Sequence, residues 1–205
     1  MSKTINSYWG VELKPYVTKQ GSKTLAVVLP GIGYTLDRVT LEYSGELALN
    51  LGYDLVRIEY GFQVTRKPFN VPEEFDIIVK ESLEQLNSVL EDGNYENIVI
   101  IGKSIGTAVQ IELNKSVKDY NVTNIYISPI DKTAGLGILE DSLVITGTKD
   151  PLLSKENVEK IKDIKGVQLI SIKDADHPLN IEKNPIESLK IQLEIIEAMK
   201  KFLNR

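Results

Sequence analysis

Six short apolar runs rich in β-branched residues alternate along the chain with longer stretches in which apolar positions recur every three to four residues. The runs are 25–29 (LAVVL), 53–58 (YDLVRI), 98–101 (IVII), 125–127 (IYI), 143–146 (LVIT) and 167–172 (VQLISI). Strand-length runs separated by helical segments mark β-α-β units around a mostly parallel sheet. The chain therefore reads as an α/β protein with a central sheet of about six to seven strands flanked by helices, in which residues 8–17 supply an antiparallel edge. Helices are expected at about 36–51, 73–91, 105–120, 155–162 and 185–203. In the last of these, Ile186, Leu189, Leu193, Ile196 and Met199 recur at spacings of three and four behind Pro185, and the stripe is read as core packing. The segment 128–141 (SPIDKTAGLGILED) is too short and too rich in Gly and Pro for a full helix and reads as a loop. With no internal repeat or linker, the 205 residues fit a single domain, 1–205.

Composition narrows the function by exclusion. A hydrophobic fraction of 42% with 26% charged residues belongs to a globular protein. The net charge is −5 and no run of five Lys/Arg occurs, so nucleic acid is not an expected partner. The absence of cysteine removes disulfides and thiolate metal sites, and one histidine cannot build a multi-histidine site. No metal or other cofactor is called for. The opening stretch MSKTINSYWGVELKPYV lacks a signal-peptide core, and no segment approaches the ~18 consecutive apolar residues of a membrane span. A cytoplasmic protein that does not use a membrane is the expectation.

The chemistry concentrates in ENIVIIGKSIGTAVQIEL, residues 96–113. Gly102-Lys103-Ser104 could end a phosphate-binding loop, but that motif needs a glycine five residues earlier, where Asn97 stands, and the four residues between are the strand itself. Gly102-Lys103-Ser104-Ile105-Gly106 instead fits G-x-S-x-G between a buried strand and a helix. A serine on so tight a turn is strained, and small residues two before and two after keep side chains from striking the adjacent strand and helix. The helix N-terminus offers free N–H groups to a developing oxyanion.

A nucleophile needs a base, and His177 is the sole histidine. It lies after the sixth expected strand in KDADHPL, residues 173–179. The carboxylate that would orient it is Asp150, just past the fifth strand, with Asp174 and Asp176 as substitutes that only an unusual loop could turn onto the ring. Lys103 and Arg66 could favour an anionic substrate, but Lys103 is read as pointing away from the cleft and Arg66 as solvated.

Ser104, Asp150 and His177, in that chain order and each at the C-terminal end of an expected strand, resemble the α/β-hydrolase fold, with Lys before the serine as in small relatives of the dienelactone hydrolase and carboxylesterase-like branches. The resemblance covers about 25–203. It implies a serine hydrolase with an acyl-enzyme on Ser104 and backbone oxyanion donors at Ile105 and Ile32, the latter ahead of Gly33. Pro30 stands where the family often has histidine. The short 128–141 segment implies no lid, which leaves a small ester, thioester or amide as the acyl substrate, with Gly31, Gly33, Tyr34 and Phe62 around it. Further walls are expected from 60–69 and 129–131. An acyltransferase using the same three residues, or a hydrolase-like binding scaffold, are the alternatives.

Overall fold

The computed structural model describes residues 3–205. The expected runs form β4 (Thr24–Leu29), β5 (Asp54–Arg57), β6 (Asn97–Lys103), β7 (Asn121–Ile127), β8 (Leu143–Gly147) and β9 (Gln168–Ile172), with β3 (Tyr16–Thr18) added at one edge. The sheet order is β3-β5-β4-β6-β7-β8-β9. All neighbours run parallel except β3, which pairs antiparallel with β5. Only part of the anticipated 8–17 edge joins this sheet. Ahead of it, β1 (Ile5–Asn6) and β2 (Glu12–Leu13) make a separate two-stranded ladder.

Central strands are predominantly apolar because helices cover both faces, so alternate residues enter different cores. Leu25, Val27, Ile98 and Ile100 face α3 (Val71–Leu90) and α4 (Ile105–Asn114), packing with Ile78, Leu86, Val109 and Leu113. Ala26, Val28, Val99 and Ile101 face α1 (Val39–Asn50) and α7 (Pro185–Leu203), where Leu41, Ala48, Ile195 and Met199 lie. A smaller cluster joins Tyr126 and Val144 to Ile138, Leu153 and Ile161 below α6 (Lys155–Lys162).

The sequence reading needs three adjustments. Residues 128–141 are not all loop: Asp131–Leu136 forms the short helix α5. The helix expected to reach residue 120 stops at Asn114, and the turns that follow bury Val117. The third concerns α7, whose expected core stripe is mostly on the outside. Ile186, Leu189 and Leu193 are 64%, 60% and 60% exposed, while the buried line is Ser188, Ile191, Gln192, Ile195, Met199 and Phe202. Two of those six are polar and satisfied internally: Gln192 bonds Thr40 and the Leu179 carbonyl, and Ser188 bonds the Asn184 carbonyl.

Between β5 and α3 a single helical turn, α2 (Gly61–Val64), seats Phe62 in an aromatic cluster with Trp9, Tyr60 and Phe69. Gly61 has no alternative there, since a Cβ would fall 1.9 Å from Ser7 Oγ. Ser7 is tied in turn to α3 by its hydroxyl, which donates to Glu81, and the Tyr8 amide donates to the same carboxylate at 2.7 Å.

Ile191→Ala should destabilise the protein by about 2–4 kcal/mol in urea unfolding, as for a buried aliphatic truncation; a loss below about 1 kcal/mol would place this side of α7 outside the core.

Candidate active site

The end of β6 turns directly into α4, and Ser104 takes the turn with φ 56° and ψ −121°. No L-residue adopts this backbone without strain, so its surroundings must hold it. They do so by close backbone packing. A Cβ on Gly102 would lie 2.6 Å from Gln110 Oε1 and 2.8 Å from the Gly106 carbonyl oxygen; one on Gly106 would lie 2.5 Å and 2.7 Å from the Pro30 and Leu29 carbonyl oxygens. The Ser104 amide donates to the Ile127 carbonyl at 3.0 Å, and the Thr107 amide and hydroxyl both donate back to the Ser104 carbonyl.

Asp150 and His177 arrive from the ends of β8 and β9, two strands that pair through Gly147 and Ile172. The following loops cross closely: a Cβ on Gly147 would lie 2.2 Å from the Ala175 carbonyl oxygen, which accepts from the Lys149 amide at 2.9 Å. The outcome is one hydrogen-bonded chain. His177 Nε2 is 2.8 Å from Ser104 Oγ, and His177 Nδ1 is 2.7 Å from Asp150 Oδ2. The Asp150 side chain is fully buried, and its other oxygen accepts from the Leu152 amide at 2.8 Å. Neither substitute carboxylate makes this contact: Asp174 pairs with Lys149, and Asp176 accepts from the Asn180 amide.

The loop after β4 brings Gly31 against Ser104. A Cβ there would be 3.0 Å from Ser104 Cβ and 3.2 Å from Tyr34 Cβ, so glycine is what lets this backbone approach. The amides of Ile32 and Ile105 have no acceptor among the described residues. Gln63 of α2 holds the same loop from outside, its Nε2 donating to the Gly31 carbonyl at 2.7 Å and the Ile32 carbonyl at 3.0 Å. Sequence reasoning placed Gln63 in an anticipated wall, not in this pinning role. Gly33 is open to solvent, with nothing near its Cβ position. Tyr34 is half-buried, its hydroxyl bonded to Thr40. Phe62 must be corrected: at 3% exposure, stacked on Phe69 and Tyr60, it belongs to the core beneath the loop and offers no surface to a ligand.

Residues 24–204 match the family model of the alpha/beta hydrolase domain. The chain is an α/β hydrolase. No curated protein matches its sequence. Among solved structures, it resembles a protein of unknown function from Agrobacterium tumefaciens described as an α/β hydrolase (TM-score 0.75, 17% identity, 98% of this chain and 96% of that one). Another match is a serine hydrolase without a lid from Xanthomonas campestris (0.68, 17%, 100% and 94%). A third is Est1E from Butyrivibrio proteoclasticus with ferulic acid bound (0.66, 15%, 99% and 100%). At these identities the likeness is one of fold. The hydrolase shares the lidless form, since only residues 128–142, with α5 among them, connect β7 to β8.

Lys103 points away from the cleft, as expected, but not to solvent: it is fully buried, and Nζ donates to the His177 carbonyl at 2.6 Å and lies 5.1 Å from the centre of the Tyr34 ring. Arg66 is exposed, as expected. Burial pushes the Lys103 amine down to about 7, against the opposing pull of Asp150 and Asp176. Below that pH the amine is charged in both folded and unfolded hydrolase, so its burial opposes folding in full. Between about 7 and its ordinary 10.5 the unfolded chain binds more protons, and stability rises with pH.

Urea unfolding from mildly acidic to alkaline pH should therefore show the wild type gaining on a Lys103→Met variant as pH rises past 7, by at most about 1.4 kcal/mol per pH unit. A difference that stays flat would mean an ordinary, solvated lysine.

Proposed function

We propose that this hydrolase is a serine esterase, cleaving small esters or related thioesters and amides through an acyl-enzyme on Ser104. The observation that carries the reading is the unbroken hydrogen-bonded chain from Ser104 Oγ through both ring nitrogens of His177 to buried Asp150. In the proposed reaction Ser104 Oγ attacks the acyl carbon as His177 Nε2 takes its proton, and Asp150 stabilises the imidazolium through Nδ1–H. The tetrahedral oxyanion accepts from the amides of Ile105 and Ile32, which have no acceptor among the described residues. Collapse breaks the bond to the leaving oxygen, which receives the proton from Nε2. Water then attacks the acyl-serine with His177 again as base, releasing the acid and restoring the hydroxyl. The short β7–β8 connection supports a site open to water and to small acyl groups.

Purified protein should release p-nitrophenol from acetate and butyrate esters, and Ser104→Ala or His177→Ala should each lower the rate by about three orders of magnitude or more. A fluorophosphonate probe should label the wild type and not Ser104→Ala. A wild type that neither turns over nor labels would transfer the reading to a binding scaffold. Acylation without release to water would point to another acyl acceptor.

Gln63→Leu, which removes both bonds to the Gly31–Ile32 backbone, should reduce kcat/KM by about five- to thirtyfold, as expected for one to two net hydrogen bonds of ~1 kcal/mol each. Unchanged kinetics would show that the loop holds its shape unaided.

A further inference from the structure

The exposed side of α7 is apolar in a regular way. Ile186, Leu189, Leu193 and Ile196 follow a three-four-three spacing, the a and d positions of a heptad, so they form one narrow seam along the helix. Three of the four are at least 60% exposed, and Ile196 is half-buried. Beside them Val39 and Tyr43 of α1 are also exposed, the latter by 57%, and with α7 they line an apolar groove. Five of the large exposed apolar side chains of the described residues are thus gathered on one helix pair. Grouped apolar exposure of this kind marks an interaction surface, where scattered single residues would not. The α7 helix does not need it to fold against its own sheet, because Ile191, Ile195, Met199 and Phe202 already do that on the opposite side.

The charges beside the seam say what covers it. Lys190 and Glu197 lie on the same flank, one turn either side of Leu193. When two copies of the helix run antiparallel about a two-fold axis near Leu193, the Leu193 side chains meet, Leu189 comes opposite Ile196, and Lys190 of each copy comes beside Glu197 of the other. Lys200, in line with the seam, brings its aliphatic stem over Ile186. Glu194, Glu197 and Lys200 make no ion pair within the chain among the described residues, and Lys190 makes only an exposed one with Glu187 at 3.3 Å. A self-complementary patch is what a two-fold interface requires, since each residue must meet its partner twice. The flank mixes Glu187, Glu194 and Glu197 with Lys190 and Lys201, and so lacks the basic excess that an anionic lipid surface selects.

We infer that the seam of α7, widened by Val39 and Tyr43, is a homodimer interface in which two copies pack their last helices antiparallel. It uses none of the residues at the Ser104 site and holds whether or not that site is an esterase.

Sedimentation of the full chain from low to high micromolar concentration should show a monomer–dimer equilibrium. Leu193→Glu, at a position open enough to accept charge without unfolding, should be monomeric while its circular dichroism and unfolding midpoint confirm a folded chain. Lys190→Glu should weaken the dimer about tenfold by setting like charges together, and Lys190→Glu/Glu197→Lys should restore it. A wild type monomeric throughout would overturn the inference, as would a dimer indifferent to Leu193→Glu. A dimer lost in Leu193→Glu but insensitive to both charge variants would overturn the antiparallel pairing.

Discussion

The strained backbone of Ser104 is the point on which the site depends, and what holds it is contact between backbones. Gly106 of α4 rests on the carbonyls of Leu29 and Pro30 at the end of β4, with no room for even a methyl group. That contact sets how close α4 stands to β4, and so brings the Gly31–Ile32 loop against the serine. The same turn starts α4 with the Ile105 amide lacking an acceptor among the described residues. One steric requirement therefore aligns the proposed nucleophile with both proposed oxyanion donors, which explains why glycine recurs at 31, 102 and 106 without appeal to flexibility.

Much of this was legible in the sequence for a physical reason. A strand covered on both faces is apolar on both, so 25–29, 98–101 and 143–145 declare themselves, and the spacing of Gly102, Ser104 and Gly106 records a local steric need. The hidden parts were those decided by tertiary direction. In α7, residues at spacings of three and four trace two lines, and the buried one is disguised by Ser188 and Gln192, whose polar atoms find partners inside. Periodicity gives the spacing of a face but not its orientation. Gln63 and Lys103 were hidden likewise, because a long polar side chain beside a site can turn to solvent, to ligand or to a backbone carbonyl, and only the neighbouring loops decide which.

Lys103 and Asp150 hold the histidine from its two ends. The carboxylate takes the ring nitrogen, and the amine takes the residue's own carbonyl. Both are buried, so each charge is set against the other in a region poor in water. The arrangement costs stability through the desolvated amine, a common exchange where a site must keep one geometry.

The contacts that define the site also have a temporal consequence. Ser104 meets His177 across 73 residues, Lys103 reaches His177 across 74, Gln63 reaches Gly31 across 32, and Ser7 joins Glu81 across 74. Each closes a long loop whose entropy is lost before the contact returns any stability, and such closures are slow. Helical turns can form by local search, whereas Ser104 and Lys103 meet His177 only when the loop after β9 lies beside the end of β6, and Ser7 meets Glu81 only when the N-terminal segment lies against α3. The hydrogen-bonded arrangement of Ser104, His177 and Asp150 thus exists only in the folded chain, and a nascent or partly unfolded chain carries the three residues without the geometry that joins them.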